Sequence, residues 1–192
     1  MQEADTAAHP RHLSHVTAGW LTTCLQAHGV NATVGSFEAR QIGEGVGQMA
    51  TLNRLVLTYS AGSGPASLVV KFPGTMEANM VIAKQFGLFR REVEFYRVAA
   101  PRTSMTLPVV YAAELDPDEQ FVLLMEDLGH MTTGDQVVGI SPSAAEPAID
   151  ELVLLHAPFW NAVDTPEFAF APDRKSTRLN SVTSRSRMPS SA

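Results

Sequence analysis

From Ala50 to Tyr59 the side chains alternate, with Leu55, Leu57 and Tyr59 on one side and Arg54, Val56 and Thr58 on the other. A period of two sustained over this length is the pattern of a half-buried β-strand, and it commits the middle of the chain to a sheet. The flanks say how that sheet continues. Upstream, residues 33–42 read as a strand into a turn, closed by the glycine cluster Gly43-Glu-Gly45-Val-Gly47. Downstream, Ala61-Gly-Ser-Gly-Pro65 is a turn by composition. The run Leu68-Val-Val-Lys71-Phe72 is a further strand, ended by Pro73-Gly74. Val109 to Leu115 and Gln120 to Met125 predict two more strands, joined by Asp116-Pro-Asp-Glu119 as a hairpin with a short polar loop.

Helical spacing appears in three places. Residues 11–28 carry Leu13, Val16, Trp20, Leu21, Cys24 and Leu25 on one face, with Gly29 placed to close the helix. Residues 76–99 form the longest such pattern, with Val81, Ile82, Phe86, Phe89, Val93 and Tyr96 at spacings of three and four, and Pro101 stopping it. Gly129 to Pro147 is loop-like. After it Ala148, Leu152, Leu155, His156 and Phe159 begin a new helical face. Five strands and three helices in this order predict an α+β fold with an antiparallel five-stranded sheet and one long helix.

The last 20 residues, Asp173 to Ala192, are a different material. Eight are Ser or Thr and five are basic against one acid. Without hydrophobic periodicity they are expected to be disordered. The run from Arg174 to Ser181 also resembles translated sequencing-adapter read-through, so the tail is expected not to belong to the fold. The whole chain holds 14 basic and 20 acidic residues, net −6. Without the tail nine and 19 remain, net −10. That excludes a general nucleic-acid or anionic-membrane binder, which needs a basic surface. The lone Cys24 excludes an internal disulfide and a Cys-rich zinc site. The polar N-terminus and the lack of any long apolar run predict neither a secretory signal nor a membrane span, hence a cytoplasmic protein.

Four features bear on chemistry. A glycine cluster lets backbone amides approach phosphate oxygens, though a plain turn has the same composition. Here the cluster joins two strands rather than opening a helix, and its spacing (Gly43, Gly45, Gly47) departs from G-x-G-x-x-G. Lys71 lies mid-strand among apolar residues, where an unpaired ammonium is costly. It reads either as an edge lysine reaching water or as a fixed cation for phosphates, and a fixed cation needs a carboxylate partner. Glu92 and Glu94 lie two positions apart on the long helix and so point about 200° from each other. Glu92, beside the Phe89, Val93 and Tyr96 face, is the expected partner. Glu94 is expected to be solvated. Finally, the buried strand Phe121-Val-Leu-Leu-Met125 runs into the polar Glu126-Asp127-Leu128, an arrangement suited to stacking on a base and reading its edge.

Taken together, Ile42 to Met49, Ser67 to Pro73, Arg91 to Arg97, Phe121 to Leu128, Gly134-Asp-Gln136 and Leu155 to Trp160 resemble, in order, the kinase-like phosphotransferases of the aminoglycoside phosphotransferase, choline kinase and ecdysteroid-kinase-like group. The resemblance spans about residues 13–170. It implies a kinase-like small lobe binding ATP, with Gly43, Gly45 and Gly47 over the phosphates, Lys71 on the α- and β-phosphates and Glu92 holding Lys71. Met125 and the backbone of Glu126 and Leu128 would meet adenine. Mg²⁺ and a small-molecule hydroxyl acceptor of unknown identity complete the expected partners. Asp135 is expected either to shape the cleft mouth or to cap a helix.

Phosphoryl transfer of this type also needs a catalytic Asp and downstream Mg²⁺ ligands. None of His9, His12, His15, His28, His130 or His156 opens a His-x-Asp-x₄-Asn segment. No catalytic residue and no metal ligand is therefore assigned, and His156 is expected to be a core or interlobe residue. The expected organisation is an N-terminal helix (1–30), a small lobe (31–128), a linker with the start of a truncated large lobe (129–172), and the tail (173–192). On that reading the chain is inactive alone. Ile149, Leu152, Leu155, Phe159 and Trp160 are then partly exposed and prone to association. Two other readings stand beside it: a non-catalytic nucleotide-binding or interaction module, and a plain α+β domain.

Overall fold

The computed structural model describes residues 9–43, 49–132, 134–135 and 137–171. The expected tail, 173–192, lies outside them. Helix α1 (Ala18–Ala27) starts at Thr17, whose hydroxyl accepts from the Trp20 N–H at 3.1 Å. Residues 11–16, read as part of this helix, instead contain a single 3₁₀ turn, Leu13–His15. The cap at Thr17 explains the late start, since a capping hydroxyl satisfies the first free amides. Strands β1 (Ala32–Ile42), β2 (Ala50–Gly62) and β3 (Ser67–Pro73) follow as an antiparallel meander.

The expected single helix over 76–99 is broken in two. Helices α2 (Glu77–Gln85) and α3 (Leu88–Glu94) flank Gly87, which sits in the left-handed region at φ 58°. Glycine takes that conformation at no steric cost, and a helix cannot run through it. α3 continues as a π-helical turn, Phe95–Ala99. The break changes what the face does. Val81 and Ile82 of α2 and Phe86 at its end are exposed, whereas Phe89 and Val93 of α3 are buried.

Strands β4 (Val110–Leu115) and β5 (Phe121–Glu126) form the expected hairpin. Its loop is closed by Asp116, whose carbonyl accepts from the Glu119 N–H at 3.0 Å and whose carboxylate accepts from the Gln120 N–H at 2.9 Å. β5 inserts beside β3, giving the antiparallel order β1-β2-β3-β5-β4.

Both faces of this sheet are covered. On one, Leu21 and Leu25 of α1 meet Leu55, Leu57, Leu68, Val70, Phe72, Val122 and Leu124. On the other, Ala83, Phe89 and Val93 meet Phe121 and Leu123. β5 is thus buried on both sides, which is why it reads as a continuous apolar run rather than an alternation.

Helix α4 (Pro142–His156) begins at Ser141, whose hydroxyl accepts from the Ala144 N–H at 3.2 Å. The loop expected through Pro147 therefore ends earlier. Pro142 occupies the first turn, where no N–H is needed, and Pro147 lies within the helix. No residue of α4 is buried, and Ile149, Leu152 and Trp160 are exposed, Trp160 by 78%. Leu155 and Phe159 are half-buried. Among the described residues no helix is long and apolar enough to cross a membrane.

The alternation of β2 makes a direct prediction. Leu55→Ala, at a fully buried position, is expected to lower unfolding stability by about 2–5 kcal/mol in urea titration. Val56→Ala, one residue on at an exposed position, is expected to shift it by under about 0.5 kcal/mol.

Candidate functional site

Alternation within β3 decides where its lysine goes. Val70 and Phe72 point into the α1 side of the sheet, so Val69 and Lys71 face the α3 side. Phe89 and Val93 seat α3 on that same side, and Glu92 flanks them. Lys71 Nζ donates to Glu92 Oε1 at 2.5 Å and to Oε2 at 2.7 Å. The two side chains are 20% and 32% exposed, so the pair is sheltered but reachable. An ammonium has three donors and a carboxylate takes two here. The arrangement therefore offers a cation fixed in position with capacity for a further anionic oxygen. Nearby Tyr96 has its phenol pushed above the ordinary value, first by burial and then by the Glu92 charge. Glu94, expected to be solvated, is half-buried and pairs with Arg97 at 3.4 Å. Arg97 sits one turn further along and reaches back, which position on a helical wheel alone does not reveal.

Pairing register puts Ile42, Leu52, Lys71 and Leu123 in one row across four strands. Gly43 follows Ile42 directly, at φ 70°. It leaves the sheet two strands from Lys71, roughly 10 Å away at ordinary strand spacing. Gly45 and Gly47 lie outside the described residues.

Met125 is opposite Val69 and shares its face with Lys71. Leu52, Val69 and Met125 form an apolar strip beside the lysine. Glu126 falls opposite Leu68, on the α1 side. Its N–H donates to the Val109 carbonyl at 2.8 Å, and its Oε2 accepts from the Val109 N–H at 3.1 Å. The Leu128 carbonyl accepts from the Met131 N–H at 2.9 Å, and the Leu128 side chain is exposed.

Between them sits Asp127, for which the sequence suggests no role. Its side chain is only 9% exposed. Oδ2 lies 2.6 Å from Arg54 Nε and accepts from the Ser67 hydroxyl at 2.6 Å. Oδ1 accepts from Arg54 Nη2 at 3.0 Å and from the Gly129 N–H at 2.9 Å. Arg54, on the outward side of the β2 alternation, was legible as a surface residue, but no local spacing links positions 54, 67 and 127. Burial raises the Asp127 carboxyl, yet the Ser67 hydroxyl, the Arg54 guanidinium and the Gly129 amide outweigh it. They hold it below its ordinary value of 3.8.

For each of the two remaining candidates the structure removes one of the two expected placements. Asp135 caps no helix: its carboxylate accepts from the Val137 and Val138 amides at 2.7 and 3.0 Å, and α4 is capped by Ser141. Of the two placements expected for His156, core and interlobe, the core one is excluded. The side chain is exposed at the end of α4 and lines an open surface depression of about 310 Å³ with Phe159, Trp160, Asn161 and Val163. α4 packs too loosely to bury its own C-terminus. Among the described residues no group of three or more His, Cys, Asp or Glu is placed to hold a metal ion.

The depressed Asp127 carboxyl fixes the sign of a pH effect. The folded form binds fewer protons than the unfolded one near pH 3.8, so its contribution is complete above that value and lost as pH falls through the folded value. In urea titrations, wild type is expected to exceed Asp127→Asn in stability by a constant margin above about pH 5, narrowing on acidification below about pH 4. A margin independent of pH would contradict this. No protein-family model, no curated protein and no solved structure matches the chain.

Proposed function

We propose that this chain forms the nucleotide-holding part of an ATP-dependent phosphotransferase that acts on the hydroxyl of a small molecule. The observation that carries the reading is the Lys71–Glu92 pair. Kinase sites hold the α- and β-phosphates with a lysine on the third strand, itself held by a helix glutamate. Lys71 is on the third strand and Glu92 on α3, which packs against β5 on the same side of the sheet. A lysine serving only the sheet's own solubility has no need of a two-oxygen grip from a neighbouring helix.

Three further features support it. A connection that begins with a left-handed glycine joins the two strands ahead of β3. Leu52, Val69 and Met125 supply a flat apolar strip of the kind on which a base stacks. The Glu126 N–H and the Leu128 carbonyl are already bonded within the chain. What these two residues would offer a base is therefore the Glu126 carbonyl and the Leu128 N–H, an acceptor and a donor. That pair matches the amino donor and ring-nitrogen acceptor of adenine. The reading covers nucleotide binding and assigns phosphoryl transfer to no residue among those described.

Calorimetric titration with ATP and Mg²⁺ tests it. Binding is expected with Kd on the order of 0.1–1 mM, about −4 to −5.5 kcal/mol, and Lys71→Ala is expected to weaken it at least about tenfold. No heat from ATP, or a Lys71→Ala variant that binds like wild type, would overturn the reading.

A further inference from the structure

The α3-side face of the sheet is bracketed by two ion pairs. Lys71–Glu92 stands at one end of the Leu52, Val69 and Met125 strip. Arg54–Asp127 stands at the other, because Arg54 is opposite Val69 and Val69 is opposite Met125. The second pair spans more of the fold than the first. Arg54 comes from β2, Ser67 from the start of β3 and Asp127 from the exit of β5. One carboxylate thus ties three neighbouring strands at a single end of the sheet.

Its fourth bond is the informative one. By accepting from the Gly129 N–H, Asp127 folds the chain after β5 back over its own side chain. Gly129 is pressed so close that a Cβ there would overlap the Arg54 guanidinium, which the Asp127 grip prevents from moving aside. The segment from Glu126 to Gly129 is consequently held from both sides of Asp127: by the bond from the Glu126 N–H to the Val109 carbonyl before it and by the Gly129 amide after it. A simple surface ion pair would need none of this convergence, and exposed pairs contribute little to stability.

We infer that Asp127 is a positioning residue for the proposed nucleotide site, with Arg54 and Ser67 as its anchors: its carboxylate fixes the backbone of Glu126 to Leu128 in the conformation that meets the base. The inference rests on the nucleotide reading above. It assigns base recognition and phosphate recognition to separate supports, the Asp127 carboxylate for the first and the Lys71–Glu92 pair for the second. Loss of one should leave the other in place.

The test uses two readouts on wild type, Asp127→Ala and Asp127→Asn, the last as the variant that keeps the side-chain shape. Hydrogen exchange reports the segment itself. Asp127→Ala is expected to speed exchange across 126–131 while β1 and α3 keep wild-type protection. Titrations with ATP and with inorganic tripolyphosphate report recognition. ATP affinity is expected to fall about tenfold in Asp127→Ala with tripolyphosphate affinity unchanged, whereas Lys71→Ala weakens both. Asp127→Asn is expected to fall between wild type and Asp127→Ala in both readouts. Equal losses for ATP and tripolyphosphate in Asp127→Ala, or unchanged exchange over 126–131, would overturn the inference. If wild type binds neither ligand, the nucleotide reading fails and the assigned role fails with it. The exchange result then still decides, by itself, whether the carboxylate holds the segment.

Discussion

A charged residue in the middle of an inner strand has to be met, and the way it is met organises this molecule. β3 lies between β2 and β5, with apolar layers above and below. An ammonium placed there without a partner would cost several kcal/mol, or lose its proton. Glu92 can meet it only if α3 packs close to the sheet at the right height. That in turn requires Phe89 and Val93 to find their places against Phe121 and Leu123. The break at Gly87 makes this possible, since it frees α3 from the direction of α2. One ion pair, one helix seat and one left-handed glycine are thus a single solution.

Much of this was legible because the relevant signals are local. The alternation of Ala50 to Tyr59 names its buried side, and Leu55 and Leu57 are buried while Val56 is not. The choice of Glu92 over Glu94 follows from helical geometry near Phe89 and Val93, and that stretch is helical in the structure even though the longer helix is not. All five strands fall where the β-branched runs and turn residues put them, to within a few positions at their ends.

What escaped depends on partners distant in sequence or on the competition between two local rules. Hydrophobic spacing continues smoothly through 76–99, and nothing in that periodicity says that Gly87 will adopt positive φ. Pro147 looks like a loop residue, but Ser141 and Pro142 together begin a helix early enough to contain it. The Arg54–Ser67–Asp127 cluster is the clearest case, because its members come from three strands and meet only once the order β2-β3-β5 exists. The exposure of His156 has a related cause: a histidine in an apolar stretch is buried only if the stretch has something to pack against.

The facing of β3 has a consequence for how the chain reaches this state. A slip of one residue in a strand exchanges its two sides. In β3 such a slip would drive the Lys71 ammonium into the layer formed by Leu21, Leu25 and Leu55, away from Glu92. It would also turn Val70 and Phe72 toward Glu92 and strand the carboxylate among hydrocarbons. The wrong pairing is therefore penalised twice, once on each side of the sheet. The same residue that makes the site interesting for ligands acts during folding as a proofreader, rejecting misaligned strands before the helices can close over them.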